Sequence, residues 1–194
     1  MHADRIQSLA RDERLARLAG FWWGFAEGLF LFIVPDVFVT FAALFSLRAG
    51  ATAWLSSIAG SLAGVVAIYL LQAVGGVDYL RFLTTIPGIS GGLIDRVRTT
   101  LAASGLPYTP LLVLGGVPLK VYAGAAFALG LPVASVLLWT VFARIVRMAP
   151  TFALAAAARL VFPRSIDAYA AAWSVVFAAV WITFYVVYFL AVGW

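Results

Sequence analysis

The segment FAEGLFLFIVPDVFVTFAALFS, residues 25–46, is apolar over most of its length, yet it carries Glu27 and Asp36, with Pro35 directly before the second. Charges are costly at membrane depth, and a proline inside a helix removes a hydrogen bond and clashes with the preceding turn. A helix needs about 20 residues to cross a bilayer. Divided at Pro35, the run 20–47 leaves legs of roughly 12–15 residues, each able to enter a bilayer but too short to cross it. It reads as a re-entrant hairpin; the competing reading is a single proline-kinked span.

Composition supports a lipid environment for that hairpin. The chain of 194 residues is 64% hydrophobic and 11% charged, against about 45–50% and about 25% in soluble domains. A soluble fold of this size cannot bury so much apolar surface, and an all-α integral membrane protein with a single membrane domain is expected. Cysteine is absent and the one histidine is His2, so neither a metal site nor a cofactor is expected. The net charge of +5 comes from basic residues gathered between apolar runs. That pattern suits contact with anionic head groups, and nucleic-acid binding, which needs an exposed basic patch, is not expected. A cleavable signal peptide is disfavoured, because the first 19 residues are polar and the apolar run after them exceeds an h-region of about 7–15 residues.

Outward from the opening segment, residues 1–19 read as one interfacial helix, capped by Asp4 and carrying four arginines. Trp22 and Trp23 suit a membrane-interface belt. A turn containing Arg48 and Gly50 leads to a transmembrane helix over 51–73, where Gly60 and Gly64 form a small-xxx-small face. The polar stretch 74–109 is too short for an independent core. Within it, 90–105 reads as an interfacial amphipathic helix, with Leu93, Ile94, Val97 and Leu101 opposite Arg96 and Thr99. Residues 108–131 form a second interrupted run, broken by Gly115, Gly116 and Pro118 with Lys120 just beyond, and read as a second re-entrant hairpin. Two further spans follow: 132–160, containing Arg144, Arg147 and Pro150, and 166–192, uncharged from Ala168 onward.

The two halves share an order, an interrupted run with a charge near a proline and then a spanning helix. Pro35-Asp36 parallels Pro118-Leu119-Lys120, and Trp54 parallels Trp139. Paired, Gly/Pro-interrupted apolar segments in corresponding positions point to an inverted repeat and a transport site. Loop charges pull the other way: five simple spans would leave only Arg48 opposite the other basic loops, as the positive-inside rule prefers.

FAEGLFLFIVPDVFV followed by GSLAGVVAIYLL, and GGVPLKVYAGAAFALGLP with FARIVRM, resemble the two halves of the DedA family (VTT-domain or SNARE-associated Golgi proteins), in the branch with Pro-x-Lys in the second hairpin. The resemblance covers roughly residues 21–161. It implies two re-entrant hairpins facing each other from opposite membrane faces, and a transporter moving an anionic (phospho)lipid or polyprenyl-phosphate between leaflets, with proton coupling. Glu27 and Asp36 match the family acids, Lys120 the basic residue of the second hairpin, and Arg144 and Arg147 the basic positions after it. Many relatives carry a further arginine where Val113 and Leu114 stand here.

The charges have a chemistry of their own. Intramembrane ionisable residues face the bundle interior and pair, so Glu27 and Asp36 are expected opposite Lys120, Arg144 and Arg147. The two arginines lie three apart on one helical face, and their planar forks suit phosphate oxygens. Structural alternatives stay open: Asp36 as a cap for the returning half-helix, Glu27 snorkelling near Trp23, the arginines only balancing the acids, and Tyr185 and Tyr188 as packing residues. No Ser/His/Asp set, phosphate loop or metal cluster points to an enzyme. Expected partners are membrane lipids and protons, with a homo-oligomer left open. A structural or chaperone-like membrane protein and an ion-coupled exporter of small solutes are the rival functions. Twelve arginines to one lysine, with abundant alanine, favour a bacterial inner membrane.

Overall fold

In the computed structural model the described residues are 2–109 and 116–192, with side chains over 7–109 and 116–191. Asp12 ends the first helix early. Its carboxylate accepts from the Arg14 and Leu15 amides at 2.8 and 3.1 Å, capping a new helix. The stretch expected as one interfacial helix over 1–19 is therefore α1 (His2–Arg11) and the start of α2 (Glu13–Leu29), which runs unbroken into the apolar segment. The expected cap Asp4 lies outside the described side chains. After a non-helical turn over 30–35 come α3 (Asp36–Phe45) and α4 (Leu47–Ala73). Arg48 and Gly50 are helical, not a turn, because Ser46 caps α4 by accepting from the Ala49 amide at 3.2 Å.

Glycines set the register between α2 and α4. Gly20 faces Ala53, Gly24 faces Ser57, and Gly28 faces Ser61 and Gly64; a methyl on Gly24 or Gly60 would overlap the facing backbone. Small residues let two helices approach to backbone contact. The paired numbers rise together, so α2 and α4 are parallel, and α3 must carry the chain back between them. Glu13 and Arg48 accordingly meet at 2.9 Å at one end. α2 stops beside Ser61–Gly64, while α4 continues for about ten residues, ~15 Å at 1.5 Å per residue. The turn 30–35 thus lies deep beside α4.

Residues 74–109 hold α5 (Tyr79–Leu83) and α6 (Gly91–Ser104). Ser90 caps α6, and Gly105, at φ 69°, stops it. Ile94, Val97 and Leu101 are buried in the core shared with Val121 and Ala125, so the apolar face of this amphipathic helix packs on protein rather than dipping into lipid.

Gly116, at φ 81°, and Pro118 lead into α7 (Leu119–Ala128), while Gly115 falls outside the described residues. α7 climbs along the free end of α4, with Phe127 at 5.3 Å from Tyr69 and Gln72 donating to the Gly124 carbonyl. Gly130, at φ 76°, and Pro132 turn the chain into α8 (Val133–Val161), which descends antiparallel to α4 past Trp139–Tyr122, Met148–Ser57 and Phe152–Trp54 contacts. The Trp139 indole donates to the Pro107 carbonyl at 2.8 Å and Tyr108 meets Phe142. Both ends of the segment 108–131 therefore lie toward the N-terminal half of α8. α9 (Pro163–Ala168) then bends the chain into α10 (Ala170–Val192).

The helices α4, α8 and α10 are long and apolar enough to cross a membrane, and the described residues hold no strand. The protein is an α-helical membrane protein. α10 stands on the outside, touching α3 through Phe41–Phe177 and the first turn through Phe32–Phe189. α1 is clamped at the other end by Arg11–Asp167, with Arg159 on the same carboxylate.

Candidate functional site

Glu27 occupies the last turns of α2, on the face that α4 and α8 bury, and is 1% exposed. It does not snorkel. Its Oε2 takes a hydrogen bond from Arg144 Nη2, and its Oε1 lies 3.6 Å from Lys120 Nζ. Lys120 also donates to the Leu31 carbonyl at 3.0 Å, an acceptor left open where the backbone stops being helical. Glu27, Lys120 and Arg144 thus come from three elements to one buried point where the turn 30–35 meets the start of α7. Burying a charge is tolerable only when it is paired. With all three ionised, the cluster carries one net positive charge, and Arg144 Nε and Nη1 have no hydrogen-bond partner.

Asp36 behaves differently from its expected role as a cap. Pro35 holds the N-cap position of α3, and no side chain caps it. Asp36, 3% exposed, points to α8 instead, where its Oδ1 accepts from Thr151 Oγ1 at 2.9 Å and its Oδ2 has no partner. Arg147, one turn below Arg144, is half-buried. Among the described residues it makes no hydrogen bond, and none of its nitrogens comes within 4.0 Å of an Asp36 oxygen.

Asp36 and Arg147 face a cavity of about 840 Å³, bounded by the turn 30–35, residues 116–118 and α10. Glu27, Lys120 and Thr151 share its polar side. Its other side is aromatic: Phe32, Trp181, Phe184, Tyr185, Tyr188 and Phe189. Tyr185 is more than a packing residue, since its hydroxyl oxygen accepts from the Val34 amide at 2.8 Å and joins α10 to the turn. Arg96 of α6 reaches the rim.

The expected site residues therefore divide. Glu27, Lys120 and Arg144 form one buried cluster; Asp36 and Arg147 line the cavity wall; Pro35, Gly116 and Pro118 sit at the two facing turns. Arg144 Nη2 is engaged by Glu27, while Arg147, one turn on, lines the cavity. Thr151, Arg96 and the aromatic wall were not anticipated. The stripe Trp181, Tyr185, Tyr188 at i, i+4, i+7 was the available signal. Among the described residues, no group of three or more His, Cys, Asp or Glu converges on a metal position.

The fold and the site define a membrane protein with a charged, aromatic-walled cavity. In comparisons with known proteins, no family model, curated protein or solved structure matches the chain.

Proposed function

We propose that this protein is a DedA-type membrane transporter that moves a phosphate-bearing, anionic lipid between leaflets, with proton movement coupled through its carboxylates. In this reading, 20–47 and 108–131 are re-entrant hairpins entering from opposite faces, and the lipid head group passes between their tips. The carrying observation is the placement of Asp36 and Arg147 on the wall of a cavity of about 840 Å³ beside the meeting point of the two turns. A cavity of that size holds a head group and the first part of its chains. The parallel register of α2 and α4 supports the first hairpin, and the return of α7 toward the Trp139 end of α8 supports the second. The hairpins, each followed by one of the antiparallel helices α4 and α8, suit an inverted repeat. The arginine- and alanine-rich composition supports a bacterial inner membrane as the location.

The test is lipid translocation by the purified protein in reconstituted vesicles. Asp36→Asn should insert and fold yet lose most translocation; full activity in that variant would sink the acid-coupled mechanism. A structural role is favoured for one part of the site, the Glu27–Lys120–Arg144 cluster, because its side chains meet one another and are 1% exposed. If Asp36→Asn and Arg147→Gln both vanish from the membrane, the whole charge set is structural.

A further inference from the structure

A phosphate drawn into a largely apolar cavity needs donors for its oxygens, because an oxygen left bare costs its desolvation. Most donors on this wall already have partners. Thr151 Oγ1 is bonded to Asp36 Oδ1 and lies 3.0 Å from the Met148 carbonyl. Lys120 is buried against Leu31 and Glu27. Arg96 stays at the rim, bonded within α6 to the Gly92 carbonyl. Tyr185 has a donor left over. A phenol hydroxyl can accept and donate at once. Tyr185 uses its acceptor side, on the Val34 amide at 2.8 Å, and among the described residues its own O–H meets no acceptor. The charges of Arg147 and Asp36 both act on this hydroxyl, so it shares their part of the wall.

We infer that the Tyr185 hydroxyl is a second ligand for the lipid phosphate, donating its O–H to one oxygen while Arg147 takes the others. A neutral donor suits this place. A second cation here would pair with Asp36, whereas a phenol adds a directed hydrogen bond to an anion and leaves the local charge unchanged. The ring packs beside Phe32 and Phe189, at centroid distances of 6.4 and 6.3 Å, so the hydroxyl is held in position before a ligand arrives. Its oxygen accepts from Val34, and the turn 30–35, the hydroxyl and the phosphate therefore form one chain of hydrogen bonds, whose members polarise one another. Recognition of the phosphate is thereby tied to the bond that joins α10 to the turn.

The inference rests on the cavity being an anionic head-group site, and the experiment separates the two. Full-length protein in an uncharged detergent is titrated with dodecyl phosphate and with dodecanol, which keeps the chain and lacks the phosphate. Binding is read by tryptophan fluorescence, Trp181 lying in the wall. The unaltered protein should prefer dodecyl phosphate. Tyr185→Phe, which keeps the ring, should lower that preference about tenfold or more, the equivalent of one hydrogen bond to a charged group, and leave dodecanol binding as it was. A full preference in Tyr185→Phe overturns the role of the hydroxyl and leaves the head-group site standing. Equal weakening of both ligands would make the hydroxyl a tether for the wall alone, which also overturns it. No preference in the unaltered protein overturns the inference and the head-group site together. Inorganic phosphate should bind far more weakly than dodecyl phosphate; equal affinity would make the ligand a soluble anion and overturn the lipid assignment. Should Tyr185→Phe fail to fold, 3-fluorotyrosine in place of Tyr185 retains the hydroxyl. Its fluorine resonance should move further with dodecyl phosphate than with dodecanol, and equal movement overturns the inference.

Discussion

Lys120 Nζ donates to the Leu31 carbonyl at 3.0 Å, so a side chain at the start of α7 is bonded to the backbone of the opposite turn. The same ammonium helps Arg144 to neutralise Glu27. Glu27→Gln removes the only carboxylate of the cluster and strands two buried cations, for an expected loss of about 3–5 kcal/mol. Lys120→Met leaves a neutral Glu27–Arg144 pair and one orphaned carbonyl, for about 1–3 kcal/mol. Thermal unfolding in detergent should rank unaltered protein above Lys120→Met above Glu27→Gln; the reverse order would show that the cluster does not hold the turns together.

The absence of cysteine from the natural chain makes topology directly measurable. Single cysteines replacing Arg14 and Arg48 should both label from one side of the membrane. Cysteines replacing Val77, Thr109 and Leu129 should all label from the other. Opposite-side labelling within either group would turn that hairpin into a span and remove the paired-tip arrangement.

Glycine spacing predicts a contrast between two equally small substitutions. A Cβ on Gly60 meets the Phe21 carbonyl and the Phe25 amide, so Gly60→Ala must push α2 from α4, at a cost of about 1–3 kcal/mol. A Cβ on Gly92, in α6, meets nothing, and Gly92→Ala should stabilise by about 0.5–1 kcal/mol through helix propensity alone. Unfolding temperatures moving in the same direction would contradict the close α2–α4 contact.

At the α1 end, Asp167 is held below its ordinary value of 3.8 chiefly by the hydrogen bond from Arg159, with Arg11 adding its charge. A depressed carboxylate contributes stability above its unfolded value and loses it as pH falls through the folded value. Asp167→Asn should therefore unfold at lower temperature than the unaltered protein near neutrality, with the two converging below pH 3.8. The carboxylate is partly exposed, so the gap should also narrow in about 1 M salt, where the screening length is about 3 Å. A gap that persists in acid and salt would assign the effect to packing.

Much of this arrangement was legible because membrane depth makes certain residues expensive. Glu27, Asp36, Lys120 and the two arginines stand out in apolar runs, and Pro35 and Pro118 mark where helices cannot continue. Their partners were not legible. Glu27 and Arg144 are 117 residues apart, and only the parallel α2–α4 contact and the descending α8 bring them together. Nor could sequence tell that Asp36 would face α8 rather than cap α3, since that depends on how Thr151 approaches. The division of residues 1–19 at Asp12 had a local signal: an aspartate before Glu13 is a helix-start pair. A long apolar run starting at Phe21 masked it. Tyr185 and Tyr188 read as packing residues because the cavity they line is created by turns far away in sequence.

The outer wall of the cavity is α10, and no residue in its most apolar window is buried by the rest of the protein. The spanning part, Ala170–Ala191, would measure ~33 Å along its axis at 1.5 Å per residue. Such a helix meets lipid around most of its perimeter, so its tilt answers to bilayer thickness as well as to protein contacts. Thinner bilayers should lean α10 further and shift the emission of Trp181, making hydrocarbon thickness itself a control on how wide the cavity stands.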